Sequence, residues 1–382
     1  MKIDAPWLSD PRTGQVFDML EAAGYTAYFV GGLVRNAALG LGASDIDMAT
    51  DARPEAVMDL AVDTGLKAVP TGIAHGTVTI VVDGLAHEVT TFRKDVETDG
   101  RRAVVAFTDV LAEDAQRRDF TINALYADRD GQITDPTGGL NDIAQRRIRF
   151  VGNAEDRVRE DYLRSLRYFR MHAFYGDAEA GFDADALAAI AAGLDGLETL
   201  SAERVGGEML RLLAAPDPAP ALATMGQMGV FVRLLPGAAP DVVARLVHAE
   251  AKRPPKYIRR LAALGGEDVG ARLRLSRQDE KTLSRLRAEM ATTTEIAELA
   301  WRHGGDFACD VALLRAATFE SHLPANTADR IALGSAAVFP IEAADLMQDF
   351  EGAALGAKLA ELETRWIESD FSLSREDLLT QG

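Results

Sequence analysis

Two aspartates separated by one residue, Asp45 and Asp47, most clearly indicate chemistry in this sequence. Alternate residues of a strand project to the same face, so both carboxylates are expected to point the same way, with Ile46 buried behind them. Two adjacent anions repel each other unless a cation neutralises them, and hard oxygen ligands suit Mg²⁺ that also contacts substrate phosphates. The pair predicts a magnesium site, although a D-x-D sequence alone more often marks surface carboxylates.

The glycine pair Gly31-Gly32 lies upstream, between the apolar run TAYFV and the helix-compatible segment LVRNAAL. Backbone N–H groups at a strand-to-helix turn can hold phosphate oxygens, and Arg35 lies one turn into the helix. These residues predict a phosphate-binding turn beside the metal pair. The alternative is a glycine turn that binds nothing.

A third carboxylate is expected in such a site. Glu88 is the candidate, because it is the acidic residue in HEVTTF, a predicted strand of the same sheet. The alternative is an edge-strand glutamate that faces water.

A row of charged residues follows in the segment REDYLRSLRYFRMHAF, where Asp161, Arg164, Arg167 and Arg170 repeat every third residue. Residues three apart lie close together on a helix, so the row is either an exposed ion-pair face or a recognition surface. Cytosine and adenine both present an exocyclic amino donor beside a ring-nitrogen acceptor. An Asp acceptor beside an Arg donor therefore selects these two bases, and Asp161 with Arg164 can act as a template for C and A.

The elements that must position these residues are of two kinds. Strand patterns and glycine turns occupy the first 140 or so residues, including GTVTIVV and AHEVTTF on either side of Asp83-Gly84. From about Gln145 onward the segments are rich in Ala, Leu and Arg at helical spacing. The predicted fold class is an α+β head with a mixed sheet and helices, followed by an all-α remainder.

Composition restricts the kind of protein further. The single cysteine, Cys309, excludes an internal disulfide or a cysteine-rich zinc site, and the six histidines are scattered without ligand spacing, so any metal must be bound by oxygen. No leader or membrane-spanning pattern is found in the sequence, which predicts a cytoplasmic protein without a membrane partner.

The net charge of −18 disfavours nucleic-acid binding in general, but between Lys252 and Arg287 there are 11 Lys or Arg against 4 Asp or Glu. That strip is either a phosphate-binding surface or a solvated helix face.

Eight segments in order resemble one known family. They are YFVGGLVRNAALG followed by SDIDMAT, TGIAHGTVTI, HEVTTFRKD, RRDFTINAL, DPTGGLNDIAQRRIRFVG, REDYLRSLRYFR and LSAERVGGEML. In this order they resemble the class II CCA-adding tRNA nucleotidyltransferases and the related bacterial poly(A) polymerases, of the DNA polymerase β nucleotidyltransferase superfamily. The resemblance runs from about Tyr28 to Leu213.

The resemblance implies a role for each matching residue. It implies that Asp45 and Asp47 hold Mg²⁺, and that Gly32 and Arg35 contact the phosphates of the incoming nucleotide. Arg118, Asp119 and Asn123 of RRDFTINAL would bind ribose and phosphate, Asp161 and Arg164 the base, and Arg167 and Arg170 the rest of the nucleotide. Residues 97–102 correspond to a flexible loop linked in the family to the change from C to A addition. The family commonly has Asp where this chain has Asn36, which removes a charge partner beside Arg35.

The resemblance also implies an organisation and an activity. The predicted segments are a catalytic head (1–142), a helical neck that recognises the base (143–213), a helical body (214–295) and a helical, RNA-binding tail (296–382). The expected activity is addition of CCA to the 3′ end of tRNA from CTP and ATP, with no DNA partner. Poly(A) synthesis and partial CC or A addition remain alternatives, as does a catalytically silent RNA-binding protein.

Overall fold

The computed structural model describes residues 1–99 and 102–380, without the side chains of residues 95–105. The chain forms two compact units, Met1–Pro236 with Ala271–Arg274, and Gly237–Gly270 with Leu275–Gly382. The finer division into head, neck, body and tail stays a prediction.

All named strands of the described residues belong to the first unit. They are β1 (Ala27–Val30), β2 (Ile46–Thr50), β3 (Lys67–Gly72), β4 (Thr77–Val82), β5 (Leu85–Thr91), β6 (Arg93–Asp99), β7 (Arg102–Phe107), β8 (Tyr126–Ala127) and β9 (Ile133–Thr134). The main sheet is mixed, in the order β3-β4-β5-β2-β1-β8-β9, and β6 and β7 form a separate hairpin. The mixed sheet confirms the predicted fold class.

The predicted turn between β4 and β5 is confirmed in its geometry. Asp83 and Gly84 both have positive φ, 45° and 80°, and they join the paired residues Val82 and Leu85. Two left-handed residues between paired strands match the right-handed twist of the hairpin. This hairpin brings β5 back beside β2, the strand that carries the aspartate pair.

Helices fill the rest of the chain. They are α1 (Pro11–Ala22), α2 (Gly32–Ala38), α3 (Pro54–Asp63), α4 (Leu111–Gln116), α5 (Gly139–Ala144), α6 (Ala154–Glu160), α7 (Leu163–Tyr175), α8 (Ala184–Ala192), α9 (Ala202–Leu213), α10 (Ala219–Gln227), α11 (Val230–Leu234), α12 (Pro240–Glu250), α13 (Tyr257–Leu264), α14 (Val269–Arg272), α15 (Arg277–Met290), α16 (Ile296–His303), α17 (Gly305–Thr318), α18 (Thr327–Ala336), α19 (Gly352–Glu368) and α20 (Arg375–Thr380). The helical remainder expected after Gln145 is confirmed. Within the described ranges, no helix combines the length and apolar composition that crossing a bilayer requires.

The core of the sheet sits beneath β1, β2, β4 and β5. Phe17, Phe29 and Met48 are fully buried there, and Trp7 packs edge-on against Phe29 with ring centroids 4.4 Å apart. Apolar residues alternate along β4, where Val78, Ile80 and Val82 are buried. Because one face of the strands is anchored in this core, polar residues at the alternate positions of β2 are held on the other face.

Candidate active site

The three predicted carboxylates come from two neighbouring strands. Asp47 lies in β2, Asp45 directly precedes that strand, and Glu88 lies in β5. The two strands are parallel and pair Asp47 with Glu88. Burial raises the pKa of Asp47 to about 6, and the negative charges of Glu88 and Asp45 act in the same direction. The repulsion expected of an acidic pair is therefore present, and a divalent cation would relieve it.

Glu88 is not an edge-strand residue, because β5 lies inside the sheet between β4 and β2. Its side chain is nonetheless exposed, and its catalytic role stays a prediction. In the part of the chain that the structure describes, no three His, Cys, Asp or Glu side chains are grouped to hold a metal ion by themselves. The donors present fit an ion held by two carboxylates that takes its other ligands from substrate phosphates and water, as Mg²⁺ commonly does.

The glycine turn between β1 and α2 depends on backbone geometry. Gly31 has φ 71° and ψ −128°, a conformation that side-chain-bearing residues rarely adopt. Its N–H donates to the carbonyl of Leu125 at 3.2 Å, which ties the turn to the segment after α4. Of the two predicted glycines, Gly32 thus presents its N–H at the start of α2, and Gly31 contributes through its conformation.

Arg35 is buried at 7% exposure and is held by neutral partners. Its guanidinium donates to Asn36 Oδ1 at 2.9 and 3.2 Å, to Asn123 Oδ1 and to the hydroxyl of Tyr175 at 2.8 Å. Asn36 thus orients Arg35 although it lacks the charge of the aspartate usual in the family. Burial lowers the pKa of Arg35. A buried cation without a carboxylate partner is costly, and a bound phosphate would supply the missing charge.

Asp114 organises the arginines that follow α4. Its carboxylate accepts from Arg117 Nε at 2.8 Å, Arg118 Nη2 at 3.0 Å and the Tyr126 hydroxyl at 2.6 Å. Burial by itself would raise the pKa of Asp114, but Arg118, Arg117 and the Tyr126 hydroxyl hold that pKa at about 2. The carboxylate stays charged, and Arg118 is fixed with a further bond from its Nε to Tyr126 at 3.0 Å.

Asp119 and Asn123 join this segment to α7. Asn123 Nδ2 donates to Asp119 Oδ1 at 3.1 Å, and Arg167 Nε donates to Asp119 Oδ2 at 2.7 Å. Burial opposes the charge of Asp119, but Arg167 and Asn123 keep its pKa below the ordinary value. A continuous set of hydrogen bonds therefore runs from Arg35 through Asn123 and Asp119 to Arg167.

The expectation that Asp161 shares a helix with the three arginines is wrong. Helix α6 ends at Glu160, α7 begins at Leu163, and Asp161 lies in the extended connection between them. Its Oδ1 accepts from the N–H of Leu163 at 3.1 Å, so it terminates one helix and turns the chain into the next. Its ion-pair partner is Arg204 of α9 at 2.6 Å, whereas Arg164 pairs with Glu160.

Helix α9 supplies residues that the sequence analysis did not select. Glu208 is 3% exposed and accepts from Arg170 Nε at 2.6 Å, with Arg167 Nη1 3.7 Å away. Arg204 and Glu208 are four residues apart, so they lie on the same side of α9. The sequence signal for them was the pair of opposite charges at this spacing in LSAERVGGEML. Arg204 precedes Glu208, whereas in the partner segment the acidic Asp161 precedes the basic Arg170.

Most of the predicted site residues line one cavity of about 600 Å³. Its lining comprises Gly31, Gly32, Arg35, Asp47, Arg93, Arg117, Arg118, Asp119, Asn123, Asp161, Leu163, Arg164, Arg167, Arg170, Met171 and Arg204. Eight arginines face three aspartates there, although the whole chain carries a charge of −18. The cavity is electrostatically suited to a polyanion. Asp45 and Glu88 are not in this lining, whereas all the other predicted site residues are.

The loop predicted at residues 97–102 falls at the end of the β6–β7 hairpin. The two strands pair up to Asp99 and Arg102. Gly100 and Arg101 lie outside the described residues, and the prediction of a loop that switches from C to A addition stays open.

Comparison with known proteins places this geometry among RNA-modifying enzymes. The model of the Poly A polymerase head domain matches residues 27–149, and that of the probable RNA and SrmB-binding site of polymerase A matches residues 181–242. The CCA-adding enzyme of Geobacillus kaustophilus is 37% identical over 74% of this chain and 70% of its own length. The human mitochondrial CCA tRNA nucleotidyltransferase 1 is 30% identical over 92% of this chain and 85% of its own length.

Solved structures agree with these relatives. The crystal structure of the Bacillus stearothermophilus CCA-adding enzyme in complex with CTP superimposes with a TM-score of 0.75 and 30% identity. The match covers 96% of this chain and 94% of that one. The similarity therefore extends beyond the arginine-lined cavity to both compact units.

Proposed function

This chain belongs to the family of CCA-adding tRNA nucleotidyltransferases, and on that premise we propose that it adds CCA to the 3′ end of tRNA from CTP and ATP. The observation that carries the proposal is the single cavity that both Asp47 and Asp161 line together with eight arginines. It combines a carboxylate for metal, cations for a triphosphate and an acceptor for a base. We also propose that the protein acts in the cytoplasm.

Asp45 and Asp47 are the proposed ligands of magnesium. When bound there, magnesium supplies activation of the RNA 3′-hydroxyl and neutralisation of charge on the triphosphate. The 3′-hydroxyl loses its proton to water as its oxygen forms a bond to the α-phosphorus, the bond from that phosphorus to the oxygen bridging it to the β-phosphate breaks, and pyrophosphate leaves. No histidine base is needed in this scheme.

The arginines of the cavity are proposed to bind and orient the nucleotide. Arg35 is buried among neutral partners that use four of its five N–H groups, so its charge and its remaining N–H are available to a phosphate that enters. Arg118 is held in place by Asp114 and Tyr126, and its position is therefore set before the nucleotide binds. Such preorganisation lowers the entropy lost when the triphosphate is ordered.

Asp161 and Arg164 are the proposed readers of the base. Two ionised carboxylate oxygens offer about four lone-pair directions, and the N–H of Leu163 and Arg204 use two of them. Arg164 uses Nη1 for Glu160 and for the carbonyl of Arg157. Both side chains thus keep capacity for a base, while their protein partners hold their orientation.

Replacing Asp161 with alanine is expected to lower discrimination of CTP over UTP roughly 10- to 100-fold, because the acceptor that requires an amino group is removed. The measurement is the ratio of kcat/KM for the two nucleotides in single additions. Replacing Arg204 with glutamine should lower the same ratio by a smaller factor, because Asp161 remains but loses the partner that orients it. Discrimination that stays at the wild-type value in the Asp161 variant would contradict the template role.

The function itself is tested with a tRNA transcript that lacks its terminal CCA. Purified protein and magnesium are incubated with each labelled nucleotide alone and with CTP and ATP together, and the products are sized. Growth by three nucleotides, with CTP required before ATP, is the expected result. Long A-only tails on this and unrelated RNA would identify a poly(A) polymerase, arrest after two C would identify partial addition, and no incorporation would identify a silent RNA-binding protein.

A further inference from the structure

The fold places the basic residues between Lys252 and Arg287 in different environments, and one group of them is buried or held in ion pairs. Arg259 and Arg260 are each 2% exposed and pair with Glu250, at contacts that include 2.8 and 2.7 Å. Lys256 pairs with Asp310 at 3.1 Å. These basic side chains stabilise the second compact unit and are not available to a ligand.

A second group of these basic residues lies on the exposed side of α15. Arg277, Lys281 and Arg285 are all exposed, and none of them forms an ion pair among the residues the structure describes. They are spaced by four residues, which places them on one face of the helix. At 1.5 Å per residue, successive basic residues of the row are about 6 Å apart along the helix axis, and the row spans about 12 Å.

The three acidic residues of α15, Asp279, Glu280 and Glu289, have contacts of their own. Asp279 accepts from the hydroxyl of Tyr257 at 2.9 Å and from the N-cap residue Ser276. Glu280 lies against Gly270, because a side chain at that glycine would meet the Glu280 carboxylate. Only Asp279 is rotated to the opposite side of the helix from the row, and Glu289, four residues after Arg285, accepts from the Thr292 hydroxyl at 3.2 Å. Among the described residues, none of the three acids forms an ion pair with Arg277, Lys281 or Arg285, so the row keeps its positive charge on an exposed face.

We propose that this basic face of α15, formed by Arg277, Lys281 and Arg285, binds the phosphate backbone of the tRNA substrate. The inference rests on the proposed function for the identity of the RNA. A chain of net charge −18 as a whole disfavours a polyanion, so an exposed row of basic residues without ion pairs among the described residues marks where RNA can approach. The spacing of the row is comparable with that of neighbouring phosphates along a strand, and phosphate contacts position an RNA without reading its sequence.

The test is direct binding of a tRNA transcript lacking CCA to the full chain, over a range of salt concentrations. The triple variant Arg277→Gln, Lys281→Gln, Arg285→Gln is expected to bind roughly tenfold or more weakly near 0.1 M salt. Its plot of log affinity against log salt should be shallower by about 2, since each lost phosphate contact removes about 0.7 to 0.9 from the slope. The KM for CTP should stay unchanged, because these residues are not in the nucleotide cavity.

Two further variants make the result specific. Arg12→Gln, Arg53→Gln, Arg129→Gln removes the same charge from basic residues that already have ion-pair partners and lie outside the predicted RNA-binding tail, so its tRNA affinity should change little. Arg277→Lys with Arg285→Lys keeps the charge and should bind like wild type. Equal weakening in both triple variants, or an unchanged salt slope in the α15 variant, overturns the proposal. Wild-type protein that binds tRNA with this α15 dependence but adds no nucleotide supports the surface while refuting the proposed activity.

Discussion

Replacing Asp47 with alanine is expected to reduce nucleotide incorporation roughly 100- to 1000-fold or more, with the fold intact. The carboxylate lies on β2 directly beside Glu88 of β5, at the edge of the arginine-lined cavity. Removing a group that stabilises charge in the transition state has an effect of that order. Asp45→Ala should give a similar loss, because the two carboxylates are proposed to share the metal.

The stability of the Asp47 variant separates catalysis from structure. Asp47 is partly buried among like charges and forms no ion pair among the described residues. Removing it relieves repulsion from Asp45 and Glu88, so the variant should unfold at the same or a slightly higher temperature in metal-free buffer. Asp63→Asn, an exposed change at the end of α3, is the matched control and should leave both quantities unchanged.

Magnesium-dependent binding of CTP provides a readout that does not require turnover. The Asp47 variant should lose the increase in CTP affinity that magnesium produces, whereas Asp63→Asn should retain it. Incorporation within tenfold of wild type by the Asp47 variant would exclude this residue from the metal site.

Replacing Glu250 with alanine is expected to lower the free energy of unfolding of the second compact unit by about 3 to 5 kcal/mol. Glu250 is 1% exposed and accepts hydrogen bonds from both Arg259 and Arg260. Arg259 also pairs with Asp310 at 2.7 Å, but Asp310 cannot neutralise two guanidinium groups. The variant therefore removes the buried carboxylate that both guanidinium groups share, which is far more costly than losing an exposed pair.

Urea denaturation followed by tryptophan fluorescence measures this loss, because Trp301 and Trp366 lie in the second unit with ring centroids 5.5 Å apart. Glu361→Ala removes the exposed partner of Lys358 and should cost no more than about 1 kcal/mol. A loss below about 1 kcal/mol in the Glu250 variant would show that its carboxylate is not essential to the core of this unit.

Local sequence was sufficient for the strands that carry the acidic residues. The alternation of polar and apolar residues around Asp45 and Asp47, the glycines after TAYFV and the Asp83-Gly84 turn each indicate an element that the structure contains. The reason is that strand alternation and turn conformation depend on neighbouring residues. The short β8 and β9 and the hairpin of β6 and β7 were not predicted, because strands of this kind depend on pairing with distant partners.

The row of charged residues at positions 161–170 shows where local reasoning stops. Spacing of three residues indicated one helix, but Asp161 breaks it by accepting the N–H of Leu163 and by pairing with Arg204, which is 43 residues away. The ion pairs of Arg167 with Asp119 and of Arg170 with Glu208 span 48 and 38 residues. No local pattern contains such pairs, because they exist only when separate elements pack together.

The sequence by itself determined the chemical types present: an acidic pair on a strand, a phosphate-compatible turn and a segment rich in arginine. Only the tertiary structure decided which charges are compensated. It placed Arg259 and Arg260 in buried ion pairs and left Arg277, Lys281 and Arg285 exposed, although all five belong to the same basic strip. The physical reason is that the energy of a charge depends on its burial and on its nearest partners, and folding sets both.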